Sequence, residues 1–497
     1  MACLHHRITG KDNLMQIAAM AADYLERLYR EAKESGEVQT AVCPSHYMGL
    51  VEMYRTTKEK RYLELVKLAI ELRDSVKNGK DDNQDRIPLR QHEKIVGHAV
   101  RANYLYAGVA DLCLEENNEE LEKLLDKMWK NLTEQKIYIT GGCGALYNGA
   151  SPYGNFWIHQ LVHQAYGYEY QLPNITAYNE TCAALGAIFW ALRMFARKPK
   201  AQYFDMIERI FLNTGLGAIN LQGNKFFYEN ALRRAKNLPY ELCWPLTRSE
   251  YITSFCCPPN LARTLAESAE YVYAQGHDSV YTGLYGANRA EIVLRNGAAF
   301  TLVQKTEYPW NGTVRFTVEK ADKSVPVSLM LRIPAWLESG TLKTAKETVS
   351  LSAKDRGYKE VRLAVTEGET VDLVLDMPAR YTVSHPLVEE TANQVAVERG
   401  PLVYCMESPD VSTDTLDNVI LFSDEKYQPI DIEISARRIT ALKGKAGLIE
   451  GVKNQALYSP LGTVHICETE VNLIPYFAWD NRGNGEMKIW MPVHYRE

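Results

Sequence analysis

No run of about 18 consecutive apolar residues occurs in this chain, so the sequence as it stands holds no candidate membrane-spanning helix. It has no block of lysine and arginine, and a formal net charge of −6 gives no electrostatic footprint for nucleic acid or an anionic membrane. Neither is expected as a partner. The ten cysteines lack the dense, regular spacing of a disulfide scaffold, which leaves free or metal-bound thiols as the expectation. The opening MACLHHRITGKDNLMQ has no basic segment running into an apolar one, so an export leader is not expected, and localisation stays open between cytoplasm and periplasm. What is present is ample: 497 residues, 46% hydrophobic and 24% charged, enough to bury the cores of two or three domains. The 30 tyrosines fit a protein that stacks rings against sugar faces, although large β-rich enzymes carry many as well.

Hydrophobic periodicity divides the chain. From Lys11 to about Ala274 apolar residues recur at helical spacing, with Leu14, Ile17, Ala18, Ala21, Tyr24, Leu25 and Leu28 forming the first expected face. Further helices are expected over 46–56, 58–77, 94–115, 119–133, 180–197, 202–215 and 259–274, giving a mainly α domain of antiparallel pairs over 1–275. Beyond Gln275 the pattern alternates, as in Val314, Phe316 and Val318, or Leu329, Leu331 and Ile333, or Val371, Leu373 and Leu375. This predicts antiparallel β-sandwiches over 276–385 and 386–497. Their surfaces leave room for a homodimer, but nothing in the alternation marks an interface.

Two short segments carry the chemistry. In AYNETCAALG, Glu180 and Cys182 stand at the mouth of an expected helix, where Asn179 or Thr181 is placed to cap it. In SFCCPPNLARTLAE, Cys256 and Cys257 precede Pro258-Pro259 and another helix, so the prolines are expected to hold the pair extended and the helix start to favour thiolate. Three sulfurs and one carboxylate suit tetrahedral Zn2+. Taken singly, a Glu-x-Cys or a Cys-Cys pair is more often core packing than a metal site.

These segments sit in a longer series: YLYAGVADL, YITGGCGA, YQLPNITAYNETCAA, FDMIERIFLNT, FFYENAL and FCCPPNLAR. In this order, over about residues 1–405, the series resembles glycoside hydrolase family 127, the β-L-arabinofuranosidases and their relatives. The resemblance implies an (α/α)6 helical toroid followed by β-sandwiches, and a retaining hydrolase of furanosides in plant cell-wall oligosaccharides. It implies Cys256 as a zinc-bound nucleophile, with Glu180, Cys182 and Cys257 completing the ligands. It also makes His98, Glu208 and Tyr228 candidate sugar contacts.

The chain departs from the pattern in three places. The family has a general acid–base glutamate sixteen residues before the Glu of its ETC motif, and here that position is Gln164, whose amide cannot exchange a proton at a useful pKa. Glu169, His159 or His163 could take over. Alternatively the substrate supplies a good leaving group, or a carboxylate of its own, as in the aceric acid of rhamnogalacturonan II, which a neutral Gln164 would tolerate. The remaining alternative is a catalytically impaired sugar-binding relative with structural zinc. Second, LYNGASPYGNFWIHQLVH is longer than the family usually places there; it is expected as a loop that brings Tyr153, Phe156 and Trp157 near Gln164, with Trp157 a further candidate sugar contact. Third, the chain opens inside what reads as an early barrel helix, so an N-terminal truncation is expected.

Overall fold

The computed structural model describes all residues except 156, 452–456, 459, 461 and 497. The chain forms two compact units, Met1–Tyr138 with Gly142–Pro199, and Ile139–Gly141 with Lys200–Glu497.

The first unit is helical: α1 (Ala2–Thr9), α2 (Asn13–Ser35), α3 (His46–Thr57), α4 (Lys60–Arg73), α5 (Ala99–Glu115), α6 (Glu119–Gln135) and α7 (Thr181–Arg197). Helix α6 is amphipathic in the simplest way, burying Leu121, Leu124, Leu125, Met128, Trp129 and Leu132 at three- and four-residue intervals. Asn118 starts it by accepting the Leu121 N–H at 3.1 Å. Helices α5 and α7 are buried on nearly every side, which matches their apolar composition all round.

The expected face of α2 is not its buried face. Met15, Ala22 and Tyr29, seven residues apart, are buried, whereas Ile17 and Met20 are 59% and 62% exposed and Tyr24 and Leu28 are also exposed. The helix has two apolar stripes, and periodicity marked the wider one while packing within this unit uses the narrower.

Two further expectations are corrected here. The helix expected from residue 94 begins at Ala99, because Gly97 adopts φ +73° and a Cβ there would lie 2.0 Å from the Asp81 carbonyl oxygen. The long segment after GGCGA is not a plain loop but a hairpin. Strand β2 (Leu146–Ala150) pairs antiparallel with β3 (Leu161–Tyr166), and β3 pairs on its other side with the short β1 (Gly97–His98). Tyr153 ties the hairpin tip to the backbone, its hydroxyl accepting the Lys94 N–H at 2.9 Å. Phe156 lies outside the described residues.

The second unit begins with α8 (Ala201–Ile210), continued by a π-helical turn Phe211–Gly215, and contains α9 (Cys257–Ala266). The helix expected to reach residue 274 stops at Ala266, since Tyr273–Gln275 already forms a strand. A four-stranded and a six-stranded sheet follow within 273–375. The alternating residues Val314, Phe316, Val318, Leu329, Leu331, Ile333, Val371, Leu373 and Leu375 all lie in one buried cluster. One pairing departs from the antiparallel expectation: Val327–Ile333 runs parallel to Ser279–Thr282. The last sheet has ten strands and recruits Arg233–Arg234, which pairs with Met487–Lys488.

Candidate active site

Glu180 is the N-cap of α7, and Cys182 lies in that helix's first turn. The Glu180 carboxylate therefore sits at the positive end of the helix dipole. Cys256 is likewise the N-cap of α9, and Cys257 is its first residue. The prolines do not hold this pair extended: Cys256 has φ −70° and ψ −34°, and Pro258 and Pro259 occupy first-turn positions where a missing N–H costs nothing. A helix start favours thiolate over thiol at both places.

Glu180, Cys182, Cys256 and Cys257 each offer one ligand atom, and these atoms all lie within 4.8 Å of one another, a group that can hold a metal ion. Cys182 and Cys257 are buried, as is Glu180, and Cys256 is exposed. The Sγ atoms of Cys256 and Cys257 are 3.8 Å apart. Two zinc–sulfur bonds of about 2.3 Å at a tetrahedral angle place their sulfurs roughly 3.8 Å apart, so the pair already has the spacing zinc requires.

Gln164, at the position where the resemblance puts the acid–base group, lies in β3 with a left-handed φ of 51°. A glutamine there carries backbone strain of about 1–3 kcal/mol that its surroundings must hold in place. Its Nε2 donates to the Tyr178 hydroxyl, two residues before Glu180. The first unit thereby links the acid–base position to one pair of ligands through a single hydrogen bond.

His98 is buried, and its Nδ1 has no hydrogen-bond partner among the described residues. Burial, reinforced by the Arg101 guanidinium, pushes its pKa down to about 4, against opposing effects of Asp82 and the Gln164 amide. It is a neutral imidazole at neutral pH. The His163 ring stands edge-on to it at 5.6 Å, and the His163 Nδ1 lies 2.9 Å from Asp82 Oδ1.

Glu169, the weaker acid–base candidate, is 3.3 Å from the Lys94 ammonium and 3.8 Å from that of Lys136. Burial raises its pKa, but the two lysines outweigh this and leave it below the ordinary carboxylate value. An ionised, lysine-held carboxylate is a poor proton donor, so the structure speaks against this assignment.

Glu208, which the resemblance makes a candidate sugar contact, has a structural part in the fold. Its carboxylate is buried and fully engaged, with Oε1 accepting from Arg332 at 2.5 Å and from the Tyr308 hydroxyl at 2.6 Å, and Oε2 from the Trp336 indole N–H at 3.3 Å. It pins α8 to the strands behind it. Tyr228 is buried with its ring stacked on Trp244 at 4.1 Å, whereas Trp157 is 86% exposed near the hairpin tip. Asp82, which the sequence reading passed over, is the residue that organises His163 and Arg101; an aspartate in a GKDDNQD turn gives no local sign of that role.

A thiol and carboxylate at one helix start, and a thiol pair beginning a second helix, make up the donor set of a thiolate-rich metal site. The model of the β-L-arabinofuranosidase GH127 catalytic domain matches residues 1–270, that of the GH127 middle domain 279–377, and that of the family's C-terminal domain 379–492. The chain belongs to glycoside hydrolase family 127 and is a glycoside hydrolase. It is 29% identical to a non-reducing end beta-L-arabinofuranosidase of Bifidobacterium longum subsp. longum, over 98% of this chain and 76% of the relative. Among solved structures, one named glycoside hydrolase is 44% identical with a TM-score of 0.93, covering 99% of this chain and 81% of its own. A GH127 beta-L-arabinofuranosidase from Geobacillus stearothermophilus T6 is 29% identical with a TM-score of 0.86, over 100% of this chain and 78% of that one.

Proposed function

We propose that this protein is a retaining glycosidase that cleaves a furanosidic bond in pectic plant cell-wall oligosaccharides, with Cys256 as nucleophile in a zinc site completed by Glu180, Cys182 and Cys257. The observation that carries this is the donor set itself: three thiols and a carboxylate converging within 4.8 Å, two of the sulfurs at tetrahedral spacing. Zinc bound there would keep the Cys256 sulfur as thiolate at neutral pH and make it a better leaving group. The Cys256 sulfur attacks the anomeric carbon through an oxocarbenium-like state, and water later displaces it, so two inversions give net retention. Cys256 suits this part as the exposed member of its pair. Two of its relatives are beta-L-arabinofuranosidases, which supports a furanoside as substrate.

Gln164 narrows the substrate. A neutral amide bonded to Tyr178 neither donates a proton to a leaving oxygen nor repels an anionic sugar. A furanoside bearing its own carboxylate, such as the aceric acid of rhamnogalacturonan II, fits that position better than a neutral arabinofuranoside. The same residue supports a second reading, a sugar-binding relative with structural zinc and little activity.

A panel of neutral and acidic pectic oligosaccharides incubated with the wild type and with Cys256→Ala separates these readings. Release from an acidic furanoside that vanishes in the variant is the expected result. Zinc and glycan binding without released sugar would favour the second reading, and full activity of Cys256→Ala would remove the cysteine mechanism. Gln164→Glu is expected to lower activity on the acidic sugar; unchanged rates with no preference for acidic sugars would remove the carboxylate argument.

A further inference from the structure

The proton-transfer group that Gln164 cannot be stands beside it in the chain. Asp82 Oδ1 accepts the His163 backbone N–H at 3.0 Å and lies 2.9 Å from His163 Nδ1, so a single carboxylate oxygen fixes both the backbone and the ring of one residue. The other oxygen, Oδ2, is 2.7 Å from the Arg101 guanidinium, which also reaches Asn83 Oδ1 at 2.6 Å. Asp82 is buried while the His163 side chain is 48% exposed. A buried carboxylate holding a half-exposed imidazole through Nδ1 is the arrangement that fixes a histidine's tautomer and leaves its second nitrogen for proton transfer.

Position supports the same role. Neighbouring strand residues point to opposite faces, but the left-handed backbone at Gln164 interrupts that alternation within β3. His98 accordingly meets both side chains, with the His163 ring edge-on at 5.6 Å and the Gln164 amide close enough to affect its protonation. The His98 Nδ1, buried and without a hydrogen-bond partner among the described residues, marks a polar group at this place still to be satisfied.

We propose that His163 is the general acid and then the general base of this enzyme, with Asp82 as its positioning residue; the inference rests on the cysteine-nucleophile reading above. In the first step the Cys256 sulfur forms a bond to the anomeric carbon as the bond from that carbon to the leaving oxygen breaks, and the His163 Nε2 proton passes to that oxygen. In the second step a water oxygen bonds to the anomeric carbon as the carbon–sulfur bond breaks, and the water's proton returns to Nε2. Asp82 holds the ring through Nδ1 in both steps, while its second oxygen remains on Arg101.

The test compares the released sugar's glycoside bearing a nitrophenyl leaving group with its glycoside to a sugar alcohol, in wild type, His163→Ala, His163→Gln and Asp82→Asn. Only the poor leaving group needs a proton, so both His163 variants are expected to lose about 100-fold or more in kcat/KM on the sugar-alcohol glycoside and less than roughly 10-fold on the nitrophenyl one. Asp82→Asn is expected to lose less, along the same axis. Equal losses on both substrates, or wild-type rates on the sugar-alcohol glycoside in either folded His163 variant, would overturn the assignment while leaving the nucleophile intact. A wild type that cleaves neither glycoside, or an unaffected Cys256→Ala, would overturn the underlying reading and this one with it.

Discussion

Deleting the Glu208 carboxylate would leave a guanidinium half-paired, since Arg332 is wholly buried and among the described residues keeps only Asp205, at 2.8 Å, as an acidic partner. Breaking a buried pair from one side costs about 3–5 kcal/mol, so Glu208→Ala is expected to lower the urea midpoint of the protein strongly. A mere sugar contact would instead raise KM and leave the midpoint in place. The case also shows where residue types mislead. Glu180, Cys182, Cys256 and Cys257 were legible as one group through the motif series that carries the family resemblance, since a Glu-x-Cys or a Cys-Cys alone is more often core packing. The Glu208–Arg332 pair was not, because a carboxylate in a helical motif gives no local sign of an arginine more than a hundred residues away.

Helix α2 separates hydrophobic pattern from packing. Replacing Ile17 or Tyr24 by lysine is expected to change stability by no more than about 0.5 kcal/mol, as for exposed positions generally. Tyr29→Ala should cost about 3–5 kcal/mol, because that ring is buried and its hydroxyl bonds His46 Nε2 at 2.7 Å. Denaturant melts of the three variants check the contrast, and comparable losses at Ile17 and Tyr29 would contradict the assigned face. The β half was more legible than the helical half. In the strands of 313–375 a period of two has only two faces to choose between, whereas a helix with two apolar stripes offers a choice that depends on neighbours distant in sequence. The β2–β3 hairpin escaped notice because its short strands are interrupted by Gly149, Pro152 and Gly154, which read as loop. Domain divisions at 275/276 and 385/386 stand as a proposal from the same periodicity.

Buried histidines set the acid limit of the whole chain. His46, His92 and His98 are each pushed down to about 4, chiefly by burial, against an ordinary value of about 6.5. Between those values the unfolded chain binds protons that the folded one does not, so stability is lost as pH falls from about 6.5 towards 4. Asp205 acts the other way: burial raises it to about 6, and its folded form gains stability as pH falls through that value. Glu407 is also raised by burial, and the three imidazoles together outweigh these two carboxylates, so stability falls on acidification. The thermal midpoint of chelator-treated protein is therefore expected to be lower at pH 5 than at pH 7, and His92→Asn to flatten the slope. A midpoint that climbs on acidification would contradict the burial of these imidazoles.

The strand Arg233–Arg234 finds its partner in Met487–Lys488, and Arg234 donates to the Gly485 carbonyl 251 residues further on. During synthesis at about 5–20 residues per second, the segment bearing Tyr228 waits roughly 12–50 s on the ribosome before the residues that fix it exist. Until then the Phe227 ring lacks the Trp479 face on which it stacks. The second unit can therefore complete itself only once residues 479–488 have been made, and its exposed aromatic surface in the interval is what a chaperone would meet.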